Sequence, residues 1–279
     1  MKPWSFTTHI FASLVTRQNL NEIPVSLGYL SAAAFFMQFL QAFLLILLAL
    51  MSKSKWYWFV SYPDPDDGVP GFQPSVKQVS DFPLPWLTFL VPLLSGLEHL
   101  SCIVFRQRYE YYVARNQNPF RWTEYSFSAS LMKVIIAQEC GITDIHLLFC
   151  IFVLMAVSVQ AAATHEAVNA KARSEDRPQN WRPFFIGWVG HLAAWLVMFN
   201  YFSVYRNRSD SEGVALITVL VVSMFLLDTS FAVTFTLQWA KVGPFKDYVV
   251  GEKVFILLSF TSKTILVWIS AVYALETNE

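Results

Sequence analysis

The sequence predicts an all-α membrane protein, a bundle of seven transmembrane helices. Three observations predict it. Hydrophobic residues fill 55% of the 279 positions and charged residues only 14%, with a mean hydropathy of +0.42; an ordinary soluble domain carries about 25% charged residues. Seven stretches approach the roughly 20 apolar residues that a spanning helix needs. Lipid offers no water to the backbone of such runs, so only helices satisfy their N–H and C=O groups. Lys+Arg and Asp+Glu balance at 20 each, which suggests no nucleic-acid partner. Cys102, Cys140 and Cys150 lie in or beside apolar segments and show neither a disulfide framework nor metal spacing.

The spans are 27–51, 84–105, 119–140, 145–164, 183–205, 214–238 and 248–274, read as one domain over 1–279. The first starts near Leu27 and is too long for the apolar core of a signal peptide, so no secretory signal is expected. The longest connection, 52–83, holds Pro63, Pro65, Pro70, Pro74, Gly68 and Gly71 with Asp64, Asp66 and Asp67, a turn-forming composition. Its Lys55-Trp56-Tyr57-Trp58-Phe59 run reads as an interfacial aromatic belt or a short strand. Short loops elsewhere make sequential helices antiparallel neighbours. Asn207-Arg208-Ser209 is a glycosylation sequon in one of these short loops, read as a chance match.

Basic residues are sided. The N-terminal segment (Lys2, Arg17) and the 2–3, 4–5 and 6–7 connections together carry thirteen Lys/Arg. The other side carries five, Lys53, Lys55, Lys77, Arg206 and Arg208. The bias places the N-terminus in the cytoplasm and the C-terminus outside.

Lys263 stands inside the otherwise uncharged run Val254–Leu275, about nine residues from the nearer end. That is about 14 Å of helix, too deep for easy snorkelling. An isolated cation there costs at least about 3 kcal/mol. The amine is therefore paired, deprotonated or modified, either as a buried ion pair or as a Schiff base to a carbonyl cofactor. Glu124, a turn or two inside the third span, is the natural counterion, with Ser128 on its face. Ser259, four residues before Lys263, points the same way.

These residues carry a resemblance. The chain is similar to microbial retinal rhodopsins, and in detail to heliorhodopsins. The match rests on Arg121-Trp122-x-Glu124-Tyr125-Ser126-x-Ser128, on Leu258-Ser259-x-x-x-Lys263 and on Trp181-x-Pro183-Phe184-x-x-Gly187. Ser230-Phe231-Ala232 and Leu237-Gln238-Trp239 add to it. Ordinary pumps usually place Asp where this chain has Ser259. The resemblance implies a rhodopsin-like seven-helix bundle with an extracellular β-hairpin between helices one and two. It implies all-trans retinal on Lys263 as a protonated Schiff base, Glu124 as counterion and Ser259 nearby. It further implies an inverted topology, a slow photocycle, signalling without robust pumping, a homodimer in the bilayer, and no enzymatic activity.

Other intramembrane polar residues leave alternatives open. Ser95 and His99 share a face of the second span and imply, by resemblance, a polar proton-accepting cavity; packing is the alternative for His99. Glu98 points about 100° away, toward an interhelical hydrogen bond. Gln38 with Gln41 stands where relatives often have a histidine and a glutamine, and Gln38 cannot accept a proton. Asp228 is read as a protonated carboxyl bonded to a neighbouring helix, a proton-path residue or a second counterion. Glu252 either ends a cytoplasmic proton route or pairs with Lys246 or Lys253, and Arg121 is counted with the proton-pathway and polar-cavity residues. Lys133, nine positions after Glu124, faces away from that pocket, and Glu139 and Asp144 read as interfacial. His146, His165 and His191 form no metal set. Tyr125, Met132, Trp195, Phe225 and Phe231 are the expected pocket walls.

The first expectation is thus a light-sensing receptor whose cytoplasmic 2–3 and 4–5 loops meet a signalling partner. The second is a light-gated proton channel or light-driven proton transporter, motivated by Asp228, Glu252 and Glu124. The third is a colourless bundle in which Lys263 is merely ion-paired.

Overall fold

The computed structural model describes residues 25–51, 56–64, 73–82, 85–208 and 212–276. Lys2, Arg17, Lys53, Lys55, the turn signals between Pro65 and Gly71, and Ser209 of the sequon lie outside the described residues. Helix α1 (Val25–Met51) is followed by strands β1 (Trp56–Asp64) and β2 (Gln73–Phe82). A single turn, Pro85–Thr88, leads into α2 (Leu90–Val104). The path bends at Phe105, φ −99° and ψ 36°, and continues as a short helix, Arg106–Val113. Then come α3 (Pro119–Glu139), α4 (Ile145–Ser174), α5 (Arg182–Arg208), α6 (Glu212–Trp239), a 3-10 turn at Gly243–Lys246, and α7 (Tyr248–Glu276).

Six helices among the described residues, all but α3, are long and apolar enough to cross a membrane. The 21 residues of α3 include Arg121, Glu124, Lys133 and Glu139, which lower its hydropathy and are all buried. Elsewhere the outward surface is apolar: Phe36, Phe43, Phe149, Val189, Leu196 and Leu226 are exposed, the pattern of a bundle solvated by lipid. Helix α4 runs ten residues past its expected end at 164. Polar residues of those extra turns are buried by neighbours, and Lys171 and Arg173 in the last turn favour the negative end of the helix. Arg173 donates to the carbonyls of Gln238, Phe245 and Lys246, fastening α4 to the α6–α7 connection. Arg121 and Arg173, two of the thirteen basic residues counted on the cytoplasmic side for the 2–3 and 4–5 connections, are therefore buried structural cations and not loop charges.

Local chemistry sets the helix ends. Asn118 caps α3, its side chain accepting from the Arg121 amide at 3.1 Å, with Pro119 at the first helical position. Gly141, φ +91°, turns the chain between α3 and α4. Helix α5 lies against α4 through glycines: a Cβ at Gly190 would stand 2.6 Å from Ser158 Oγ, and one at Gly187 3.0 Å from Ser158 O. Helices α5 and α6 meet through aromatic rings, including Phe184 stacked on Phe235 at 5.3 Å.

The strands form an antiparallel hairpin with an irregularity after Trp58, where Trp58 pairs with Ser80 but Phe59 with Gln78. The hairpin docks on the α3–α4 corner. The Phe59 amide donates to Thr143 O at 3.0 Å, and the Ser61 amide to Asp144 Oδ2 at 2.9 Å. Asp144 also caps α4 through the His146 and Leu147 amides. Partial burial works against ionisation of this carboxyl. The amides of Ser61, Leu147 and His146 outweigh it and hold the group below the usual carboxylate range. A depressed carboxyl stabilises above its unfolded value of about 4 and ceases to as pH falls through the lower folded value. Below about pH 4, the Ser61 amide is expected to lose protection relative to its intrinsic exchange rate at that pH while the centre of α7 stays protected. Asp144→Ala should do the same at neutral pH and cost about 1 kcal/mol through the lost cap. Unchanged Ser61 protection in that variant would remove Asp144 as the tether.

Candidate functional site

Helices α3 and α7 converge on one ion pair. Lys263 Nζ lies 2.7 Å from Glu124 Oε1, and the residues are 2% and 8% exposed. Ser259, one turn earlier on α7, is buried as well. The Tyr125 ring lies 5.3 Å from Nζ, and its hydroxyl donates to Phe255 O at 3.1 Å.

Beside the pair is a cavity of about 140 Å³. Lys263, Ser259, Tyr125, Ser128, Met132, Phe231 and Asp228 line it, as do Trp122, Phe184, Trp188, His191 and Phe235. The Ser128 hydroxyl is buried with no hydrogen-bond partner among the described residues. Trp195 and Phe225, expected in the walls, do not line the cavity. They pack on each other and on Phe199, with centroids about 5 Å apart. Both share a helix face with wall residues, Trp195 with Trp188 and His191 and Phe225 with Ala232, but each stands about a turn farther toward one end of its helix, beyond the last lining residue. The unlooked-for walls, Trp122, Phe184, Trp188 and Phe235, are four of 46 aromatic residues, too many for composition to single them out.

On the other side of Tyr125 and Ser259 lies a polar cavity of about 10 Å³, close to what one water needs. Glu98, His99, Asn118, Arg121 and Glu252 line it. Glu98 bonds within its own helix, to His99 Nδ1 at 3.0 Å and from Cys102 Sγ at 3.1 Å, not across helices as the wheel position suggested. Ser95 and Gln38 are buried but do not line this cavity, and the Gln38 amide finds no partner among the described residues. Gln41 instead exchanges hydrogen bonds with Thr264 on α7.

Arg121 ties three helices together. One guanidinium nitrogen binds Glu252 and another binds Glu166 Oε2 at 2.9 Å. Asn118 donates to Glu252 Oε2 at 2.6 Å, and the Tyr248 hydroxyl to Glu166 Oε2 at 2.8 Å. The Phe255 and Trp122 rings lie 4.1 and 4.3 Å from the guanidinium carbon. Glu252 thus pairs with Arg121, not with Lys246 or Lys253, because it sits on the inward face of α7. Glu166 lies beyond the apolar stretch that marks α4 in the sequence, which ends at 164; the helix continues past Thr164 and its period brings Glu166 inside.

Lys133 faces away from Lys263 and pairs with Asp228 on α6, which also accepts from Trp195 Nε1 at 3.2 Å. Asp228 is thereby an ion-pair partner of Lys133 rather than a carboxyl engaged with Lys263. Glu139 is buried near the end of α3, not interfacial. His165 is enclosed by Trp181, Phe184, Phe235 and Trp239. No group of three or more His, Cys, Asp and Glu suited to a metal occurs among the described residues.

Comparison with known proteins accords with this geometry. The solved structure of cyanorhodopsin N4075R from the cyanobacterium Tolypothrix sp. NIES-4075 has a TM-score of 0.62 at 10% identity, covering 94% of this chain and 99% of that one. The transmembrane domain of the Salpingoeca rosetta rhodopsin phosphodiesterase has a TM-score of 0.62 at 14% identity, covering 97% and 88%. The light-driven proton pump LR (Mac) from Leptosphaeria maculans has a TM-score of 0.61 at 10% identity, covering 92% and 98%. At these identities the likeness shows a shared rhodopsin fold. No curated protein sequence matches. A family profile described as Heliorhodopsin matches residues 27–275. The chain is a multi-pass membrane protein of the heliorhodopsin family, and that membership implies a retinal chromophore.

Proposed function

We propose that the protein is a light-sensing photoreceptor holding all-trans retinal on Lys263. The observation that carries the reading is the cavity at the lysine. Protein interiors are close-packed. A cavity of about 140 Å³ left empty costs about 3 kcal/mol at ~24 cal/mol per Å³. A lysine that was merely ion-paired would need no such space. The residues fit the group: an amine at the wall, a carboxylate 2.7 Å from it, and apolar and aromatic sides for a polyene. Bound retinal supplies light absorption and isomerisation.

The chain's own residues do the rest. Lys263 anchors the chromophore, and Glu124 balances the positive charge at Nζ. Ser259 and Ser128 offer hydroxyls beside that charge, while Tyr125, Met132 and Phe231 hold the polyene. In this reading α3 is the seventh span, its charges directed inward. The sided Lys/Arg distribution supports a cytoplasmic N-terminus and an extracellular hairpin. Signalling through a cytoplasmic partner, a slow photocycle and a homodimer are parts of the same proposal, and no enzymatic activity is included.

The test is addition of all-trans retinal to the purified apoprotein, followed by borohydride reduction and mass mapping. A visible band with the adduct on Lys263 is expected; no band, or an adduct elsewhere, overturns the reading. Glu124→Gln should move the band to longer wavelength. The carboxylate stabilises the ground state, where positive charge sits at the nitrogen, more than the excited state. A band that stays in place would remove Glu124 as counterion.

A second reading, a light-gated proton channel or light-driven proton transporter, is favoured by Glu98 and His99 lining the polar cavity beside Ser259, with Glu252 opposite. Photocurrents under voltage clamp separate them. Light-driven current supports transport, and its absence with an intact photocycle supports the receptor.

A further inference from the structure

The cavity has a second charged end. Lys133 and Asp228 form an ion pair between α3 and α6, with Lys133 only 1% exposed. The lysine amine lies 3.8 Å from the centroid of the Trp195 ring, whose Nε1 donates to Asp228 Oδ2 at 3.2 Å. Asp228 lines the cavity, and Lys133 does not. His191, from α5, lines it too, its Nε2 buried without a partner among the described residues. Nine residues of α3 separate Glu124 from Lys133, about 14 Å along the axis at 1.5 Å per residue. One cavity therefore reaches from the Lys263–Glu124 pair to a carboxylate that belongs to a different pair.

We infer that Asp228, positioned by Lys133 and Trp195, determines the colour of the pigment from the ring end of the chromophore. The inference rests on the retinal reading. In a retinal iminium the positive charge is concentrated at the nitrogen in the ground state and moves toward the ring on excitation. A carboxylate facing the ring stabilises the excited state more than the ground state and lowers the transition energy. Inside a protein such a charge acts across a low effective dielectric. Lys133 opposes the effect only in part, because Asp228 stands between it and the cavity wall. Glu124 and Asp228 thus act with opposite signs from the two ends of one polyene.

The experiment measures absorption maxima of the retinal-loaded wild type, Glu124→Gln, Asp228→Asn and the double variant Lys133→Met/Asp228→Leu. Asp228→Asn should shift to shorter wavelength, opposite to Glu124→Gln. The double variant should shift the same way by less, and it removes both charges if the single variant does not fold. A band that stays in place or moves to longer wavelength in both Asp228 variants overturns the inference while leaving the retinal reading intact. A wild type without a visible band overturns both. A readout free of retinal accompanies these: the apoprotein of Lys133→Met should melt at a lower temperature than that of the double variant, since only the former keeps a lone buried acid. Equal melting temperatures would remove the ion pair that positions Asp228.

Discussion

Lys263→Ala is expected to abolish the visible band altogether when the apoprotein is mixed with all-trans retinal. No other lysine among the described residues lines the cavity, so none of them places a second amine to attach the ligand there. The substitution has a structural cost as well. Glu124, 8% exposed and 2.7 Å from the amine, loses its cation. Breaking a buried pair from one side costs about 3–5 kcal/mol. Pairing the change with Glu124→Gln removes the lone carboxylate, so Lys263→Ala/Glu124→Gln should recover much of the thermal stability and none of the colour. Absorbance and thermal melts on the two variants check both halves. A band in either variant would move the attachment site elsewhere.

Arg121→Gln is expected to be the most destabilising change outside the lining of the cavity at Lys263. The guanidinium is 4% exposed and holds Glu166 of α4 and Glu252 of α7 at once. Its loss leaves two buried carboxylates without a cation, and about 3–5 kcal/mol should disappear for the broken network. Arg121→Lys should restore only part of this. A single ammonium lacks the planar fork that serves two carboxylates and stacks on Phe255 and Trp122. Melting temperatures of the three apoproteins in the same detergent give the ranking. An Arg121→Gln protein as stable as the wild type would mean that the network is not a structural tie.

Much of this architecture can be read along one helix at a time. Apolar runs mark the membrane-length helices, and the depth of Lys263 marks an amine that needs a partner. Spacing puts Ser259 on the Lys263 face and Ser128 on the Glu124 face. What cannot be read is how the faces meet. Nine residues from Glu124 turn Lys133 to the opposite side of α3, but nothing in its neighbours says that Asp228 waits there, 95 positions later. Trp195 and Phe225 have pocket-like chemistry on pocket-facing stripes and still pack elsewhere, because the depth at which the cavity ends along α5 and α6 is set by the whole bundle. Glu166 was lost to hydropathy: its turn of α4 is polar, and only tertiary partners show that it is inside. Strand β1 is rich in aromatic residues, and only its pairing with β2 distinguishes it from an interfacial belt.

Helix α3 has consequences for how the chain enters the membrane. Near a span's centre a lone charged side chain raises the insertion free energy by about 2.5–3.5 kcal/mol, and α3 carries both Glu124 and Lys133 in its interior. Their partners, Lys263 and Asp228, belong to α7 and α6, which are synthesised after α3. With α3 as a span, ribosome-bound intermediates lacking α6 and α7 hold it poorly in lipid. Its stable burial then waits for the arrival of α6 and α7, making insertion of α3 and assembly of the bundle one concerted step.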